Sequence, residues 1–166
     1  MSIDVKENIL MNFLRKMDDL GHSLASSQAR MFERSVEDGI PSYFFIKSFM
    51  ASYECSMLDE LNLESAGINE VEIYDVVSKK VKIRRGEILS YPIMHFIGYF
   101  YRSASYLLDV SSKYLLENIS PKILMSNYLT IHSLPIEEAV KEIFSICNIE
   151  IKSKEDIFFD IYKSIN

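Results

Sequence analysis

The stretch "IGYFYRSASYLL", residues 97–108, decides how this chain is read. It places aromatic residues and an arginine inside a segment whose remaining positions are aliphatic or small. A helix turns about 100° per residue, so Tyr91, His95, Tyr99, Arg102, Tyr106 and Asp109 fall within about 40° of one line down its side. Ile93, Ile97, Phe100, Ala104, Leu107 and Leu108 fall on the opposite side. The helix is therefore two-faced, with an aliphatic side and a separate polar-aromatic stripe. Gly98 lies beside the stripe, where a missing side chain lets another backbone come close.

Three arrangements suit such a stripe. A neighbouring helix can cover it, the rings filling space and Arg102 pairing with a carboxylate from elsewhere, with Asp59, Glu60 and Glu138 better placed than Asp109. The stripe can instead line a groove, with His95, Tyr99, Arg102 and Tyr106 as anchors for a protein partner, since Tyr and Arg are enriched at binding hot spots. An anionic ligand at Arg102 is the third, without a Gly-rich phosphate cradle to support it.

The rest of the chain follows the same helical period. It has 166 residues, 48% of them hydrophobic, with only five Gly and four Pro to force turns. That supports an all-α fold, a compact bundle of seven to nine short helices, in one domain over 1–166. Ile3, Ile9, Leu10, Phe13, Leu14, Met17 and Leu20 form an N-terminal stripe with Gly21 as its stop, and Ser26 or Ser27 then caps a helix ending at Asp38-Gly39. Residues 1–39 read as a helical N-terminal extension to a main bundle over 42–166. Ser42 caps a helix running through Phe45 and Tyr53 to Leu61, and Asn69 caps the next. Ser90 with Pro92, Ser111, and Ser120-Pro121 open three more, Pro135 starts another, and Ser153 with Asp156 resembles a capping box for the last.

Between these helices, Lys80–Arg84 alternates with period two and reads as a short extended segment. It belongs to the run KKVKIRR, which concentrates Lys79, Lys80, Lys82, Arg84 and Arg85. Such a run is either a solvated edge or a docking patch for an acidic partner. The net charge of −6 and a pI near 5.1 argue against generic nucleic-acid binding, which needs surplus cations. Cys55 and Cys147 are far apart and read as free thiols of a reducing, cytoplasmic compartment. The first residues lack the pattern of a secretory leader, and His95 and Arg102 interrupt the most apolar segment, so no membrane span is expected.

Catalytic chemistry finds little support in the motifs. The three histidines, His22, His95 and His132, have no metal-ligand spacing, and no cofactor fingerprint is present. His132, between two helices, reads as a helix-end hydrogen-bonding residue. Arg15 and His22 fall within the loose Arg–His spacing of the HEPN-type helical ribonucleases, which resemble this segment in that pattern alone. They lack here the polar residue that usually follows the arginine.

The residues Ile97-Gly98-Tyr99, Tyr101-Arg102, Ser111-Ser112-Lys113, Tyr128, His132 and the Ile136–Ala139 helix start carry a further likeness. Over 97–139 the chain resembles a family of small, mostly uncharacterised helical bacterial proteins encoded in toxin–antitoxin-like operons, beside ADP-ribosyltransferase-like toxins. Ser103-Ala104 stand where that family has Trp or a second aromatic. The resemblance implies a non-enzymatic, antitoxin-type or regulatory role, neutralising or modulating a partner protein. An inhibitor of a host nuclease carried by a mobile element, anti-CRISPR-like, is the second expectation, and a HEPN-like ribonuclease the third.

Overall fold

The computed structural model describes residues 16–60, 69–83, 85–149 and 154–165, and among them the chain is all-helical. Its helices are α1 (Asp19–Glu37), α2 (Ser42–Met50), α3 (Tyr53–Asp59), α4 (Glu70–Lys80), α5 (Tyr91–Leu108), α6 (Ser112–Asn118), α7 (Pro121–Ile131), α8 (Ile136–Ile146) and α9 (Lys154–Ile165).

The long helices α1 and α5 form the axis of the bundle, antiparallel and in contact along most of their length. Two glycines permit this. A Cβ on Gly98 would stand 3.0 Å from the Cα of Ala29 and 3.0 Å from the carbonyl oxygen of Gln28, and one on Gly21 would stand 2.8 Å from the ring of Tyr106. Side chains are thus missing where backbone or ring already fills the space. Around this axis Phe32 meets Phe45 and Phe49 edge-on, with centroids 5.4 and 5.2 Å apart, a favoured aromatic geometry.

Several helix boundaries follow from local chemistry. Asn69, Ser111 and Ser120 each accept a backbone N–H in the first turn of their helices, as their positions predict. α5 ends on Asp109 in the left-handed region at φ 54°, and the N–H of Val110 closes back on the Ser105 carbonyl.

Elsewhere the structure corrects the expected boundaries. Gly21 does not stop a helix; it lies inside α1, which Asp18 caps by accepting the Gly21 N–H at 2.9 Å. Ser26 and Ser27 therefore sit mid-helix instead of capping, and residues 19–37 belong to the bundle's axis. The helix expected from Ser42 to Leu61 breaks at Ala51, and Ser52 caps a separate α3 by accepting the Cys55 N–H. Pro41 and Pro135 are N-caps of α2 and α8, and the Ser42 hydroxyl accepts the Leu89 N–H instead of capping. Val81 leaves α4 in extended backbone, φ −81° and ψ 99°, and pairs with no strand among the described residues. The stripe from Ile3 to Leu14, Arg15, and Ser153 lie outside the described residues. No helix among them is long and apolar enough to cross a membrane.

Candidate functional site

The stripe on α5 is divided between two environments. Its C-terminal half is sealed. Arg102 is 1% exposed and reaches into a junction of α1, α3, α5 and α6. Its Nε donates to Gln28 at 2.9 Å, Nη1 to Asp59 at 2.6 Å, and Nη2 to Ser112 at 3.1 Å and to the Cys55 sulfur at 3.2 Å. Asp59, one of three carboxylates expected from the sequence, also accepts the N–H of Ser112 at 2.9 Å and its hydroxyl at 2.6 Å. The planar fork thus has a partner on each side, the condition under which a buried ion pair is tolerated. Burial pushes the Cys55 thiol up to about 11, so it stays protonated there and lacks the thiolate that reactive cysteines need.

Tyr106 is likewise covered, by the first turn of α1, and its hydroxyl donates to the Asp18 carboxylate at 2.6 Å. That bond, together with the Gly21 N–H, holds Asp18 below the usual carboxylate range. Arg102 and Tyr106 are therefore interior residues, which corrects the expectation of them as partner anchors. Of the three arrangements that suit the stripe, coverage by a helix describes this half.

The N-terminal half opens to solvent. Tyr99 is half-buried, and its hydroxyl lies 2.6 Å from Nδ1 of His22 on α1. The His95 ring lies parallel to the Tyr99 ring at 8°, with centroids 6.3 Å apart, and its Nδ1 is 3.2 Å from Glu33. Beyond Tyr99, toward the corner between α7 and α8, is a cleft of about 360 Å³. Phe96, Leu134, Pro135 and Ile136 supply its apolar walls. His22, Tyr99, His132 and Glu137 supply its polar groups. His132 is the C-cap of α7, as expected of a helix-end residue, and its ring stacks on Tyr128 with centroids 4.5 Å apart. Burial, and then the Glu137 carboxylate, raise the Tyr99 phenol.

The convergence of His22 and His132 on one cleft was not legible in advance. They are 110 positions apart in the chain, and the antiparallel course of α1 beside α5 together with the packing of α7 on α5, Tyr128 against Phe96, brings them together. The one hint in the sequence was His132 flanked by a helix end and a proline. Among the described residues no group of His, Cys, Asp and Glu is arranged to hold a metal ion.

The basic run shares no residue with the lining of the cleft. Lys80 bonds both oxygens of Glu54, at 3.1 and 3.0 Å, and is an intramolecular contact. Lys79, Lys82 and Arg85 are exposed and absent from the ion pairs among described residues; Arg84 lies outside those residues. Gly86 brings this segment against α2, where a Cβ would stand 2.9 Å from Pro41 and 3.6 Å from Phe44. The N–H of Ser42 donates to the backbone carbonyl of Glu87 at 2.9 Å and fixes the segment there. Phe44, Ile83 and Ile88 are 40–47% exposed, Phe44 lies beside Gly86, and the two isoleucines are on the same segment as Lys82, Arg85 and Glu87. No protein-family model, curated protein or solved structure matches the chain.

Proposed function

We propose that this chain acts by binding another protein, and that it docks through the surface of Lys79, Lys82 and Arg85 beside Phe44, Ile83 and Ile88. One observation carries the reading. On a chain of net charge −6, exposed cations stand next to large exposed apolar side chains on a segment hydrogen-bonded to α2. Apolar side chains supply affinity and the cations steer and orient, so the complementary partner presents an acidic segment with apolar anchors. Lys47 follows Phe44 by one turn of α2 and extends the same charge. An antitoxin-type or regulatory role, neutralising or modulating the partner, is what the resemblance over 97–139 adds to this reading.

The test is co-expression with the products of the neighbouring genes, comparing the wild type with a Lys82→Glu/Arg85→Glu double variant. The expected outcome is a protein that co-purifies with the wild type, dissociates as salt is raised, and is lost from the variant. A partner retained equally by both forms moves the docking surface elsewhere. An RNA retained in place of a protein, or RNA cleavage abolished by His22→Ala, replaces this reading with a nucleic-acid role.

A further inference from the structure

We propose that the cleft between α1, α5 and the α7–α8 corner binds a small organic cation, a guanidinium or ammonium group carried on a flat or apolar body. The site is distinct from the docking surface above and does not depend on it. Its volume of about 360 Å³ lies within the range of small-molecule sites, about 300–1,000 Å³. Phe96 and Ile136 provide apolar walls, and Tyr99 and His132 add aromatic rings.

The polar groups select the charge of the occupant. Nδ1 of His132 lies 2.8 Å from the carbonyl oxygen of Tyr128. A carbonyl only accepts, so Nδ1 carries the hydrogen, and in the neutral imidazole Nε2 is then the acceptor. Glu137 is a second acceptor and the one carboxylate among the lining residues; no Lys or Arg is among them. Its carboxylate reaches the same space as Tyr99, whose phenol it raises. Aromatic faces together with a carboxylate attract cations. An anion would meet Glu137 with no Lys or Arg in the lining to oppose it, and a wholly apolar ligand would cover that carboxylate without offering it a donor, which is costly. A flat body with several N–H donors fits both the walls and the acceptors.

The test uses three ligands of nearly one shape, benzamidine, benzamide and benzoate, titrated into the full chain with NMR detection of the His22, Tyr99 and His132 side chains. Benzamidine is expected to shift all three sets of resonances and to bind at least about tenfold more tightly than benzamide, with benzoate weakest. Glu137→Gln, at a partly exposed position, is expected to remove the preference for benzamidine and leave the melting temperature unchanged. The groups facing the ligand are His22, Tyr99, His132 and Glu137, with the His95–Glu33 pair behind Tyr99. Agmatine against a capped Gly-Arg-Gly peptide separates a free ligand from a partner's side chain, and agmatine is expected to bind at least as tightly. Benzoate binding best, benzamide equalling benzamidine, a peptide that binds where agmatine does not, or no shift at the three side chains overturns the proposal.

Discussion

The two halves of the α5 stripe carry similar residues and do different things. Between Arg102 and Tyr106 the side chains of Arg102, Ser105 and Tyr106 have partners inside the fold, Ser103 Oγ is buried without one, and helices α1, α3 and α6 cover this half. From Tyr91 to Tyr99 similar side chains meet His22, Glu33 and an open cleft. Gly98 stands at the boundary, where the missing side chain leaves room for the α1 backbone at Gln28 and Ala29. Helical period assigns residues to a face, and the covering elements decide whether that face is core or site.

Removing the charge from the sealed half is the strongest way to break this contrast. Arg102→Ala leaves Asp59, itself only 13% exposed, without its cation and deprives Gln28 and Ser112 of a donor. The expected loss in urea unfolding is about 3–5 kcal/mol, the usual cost of stranding one member of a buried pair. Arg102→Lys sharpens the result. It retains the charge and loses the fork that serves four partners, so it is expected to recover only part of the stability. A loss within about 0.5 kcal/mol for Arg102→Ala would mean that water reaches Asp59 and that this half is not sealed.

Gly98→Ala probes the boundary itself. The new Cβ would press on Ala29 Cα and the Gln28 carbonyl, which are backbone and cannot rotate away. Overpacking of this kind costs about 1–3 kcal/mol, set against up to about 1 kcal/mol gained in helix propensity. Net destabilisation in urea unfolding is the expected outcome, and a stabilised variant would show that the two helices separate without penalty.

Much of this was legible beforehand, for identifiable reasons. The all-α class, the two-faced pattern of α5, and the caps at Asn69, Ser111 and Ser120 follow from period and short-range hydrogen bonding, whereas Asp59 was one of three carboxylates in view for Arg102 and only the packing of α3 on α5 singles it out. Gly21 misled because glycine commonly ends helices, and here it makes room for the Tyr106 ring, a contact 85 positions away in the chain. The break at Ala51 was invisible because Phe45, Phe49, Tyr53 and Leu58 continue an apolar pattern across it. Only the Ser52 hydroxyl, accepting from Cys55, marks the restart. The cleft was hidden for the first of these reasons, since its histidines come from distant helices.

Mutating the surface tests the contrast from outside. Lys82→Glu/Arg85→Glu is expected to leave thermal stability within about 0.5 kcal/mol of the wild type, because neither side chain is in an ion pair among the described residues. A larger loss would make the basic run part of the scaffold.

The finest comparison deletes the same atom from each half. Tyr106→Phe and Tyr99→Phe each remove one hydroxyl and keep the ring. Tyr106 donates to a carboxylate that also caps α1, and that bond holds Asp18 below its usual range. A carboxyl with a lowered folded value contributes stability that is present above about pH 4 and lost as pH falls through the folded value. Tyr106→Phe is therefore expected to lower the melting temperature by a few degrees, on the order of 2–3 °C, at neutral pH, and the difference from wild type should shrink on acidification. Tyr99 bonds an imidazole at the cleft, where water replaces the lost contact, so Tyr99→Phe is expected to move the melting temperature by less than about 1 °C. Equal shifts from the two variants would erase the division of the stripe. An acid-insensitive difference for Tyr106→Phe would detach Asp18 from it.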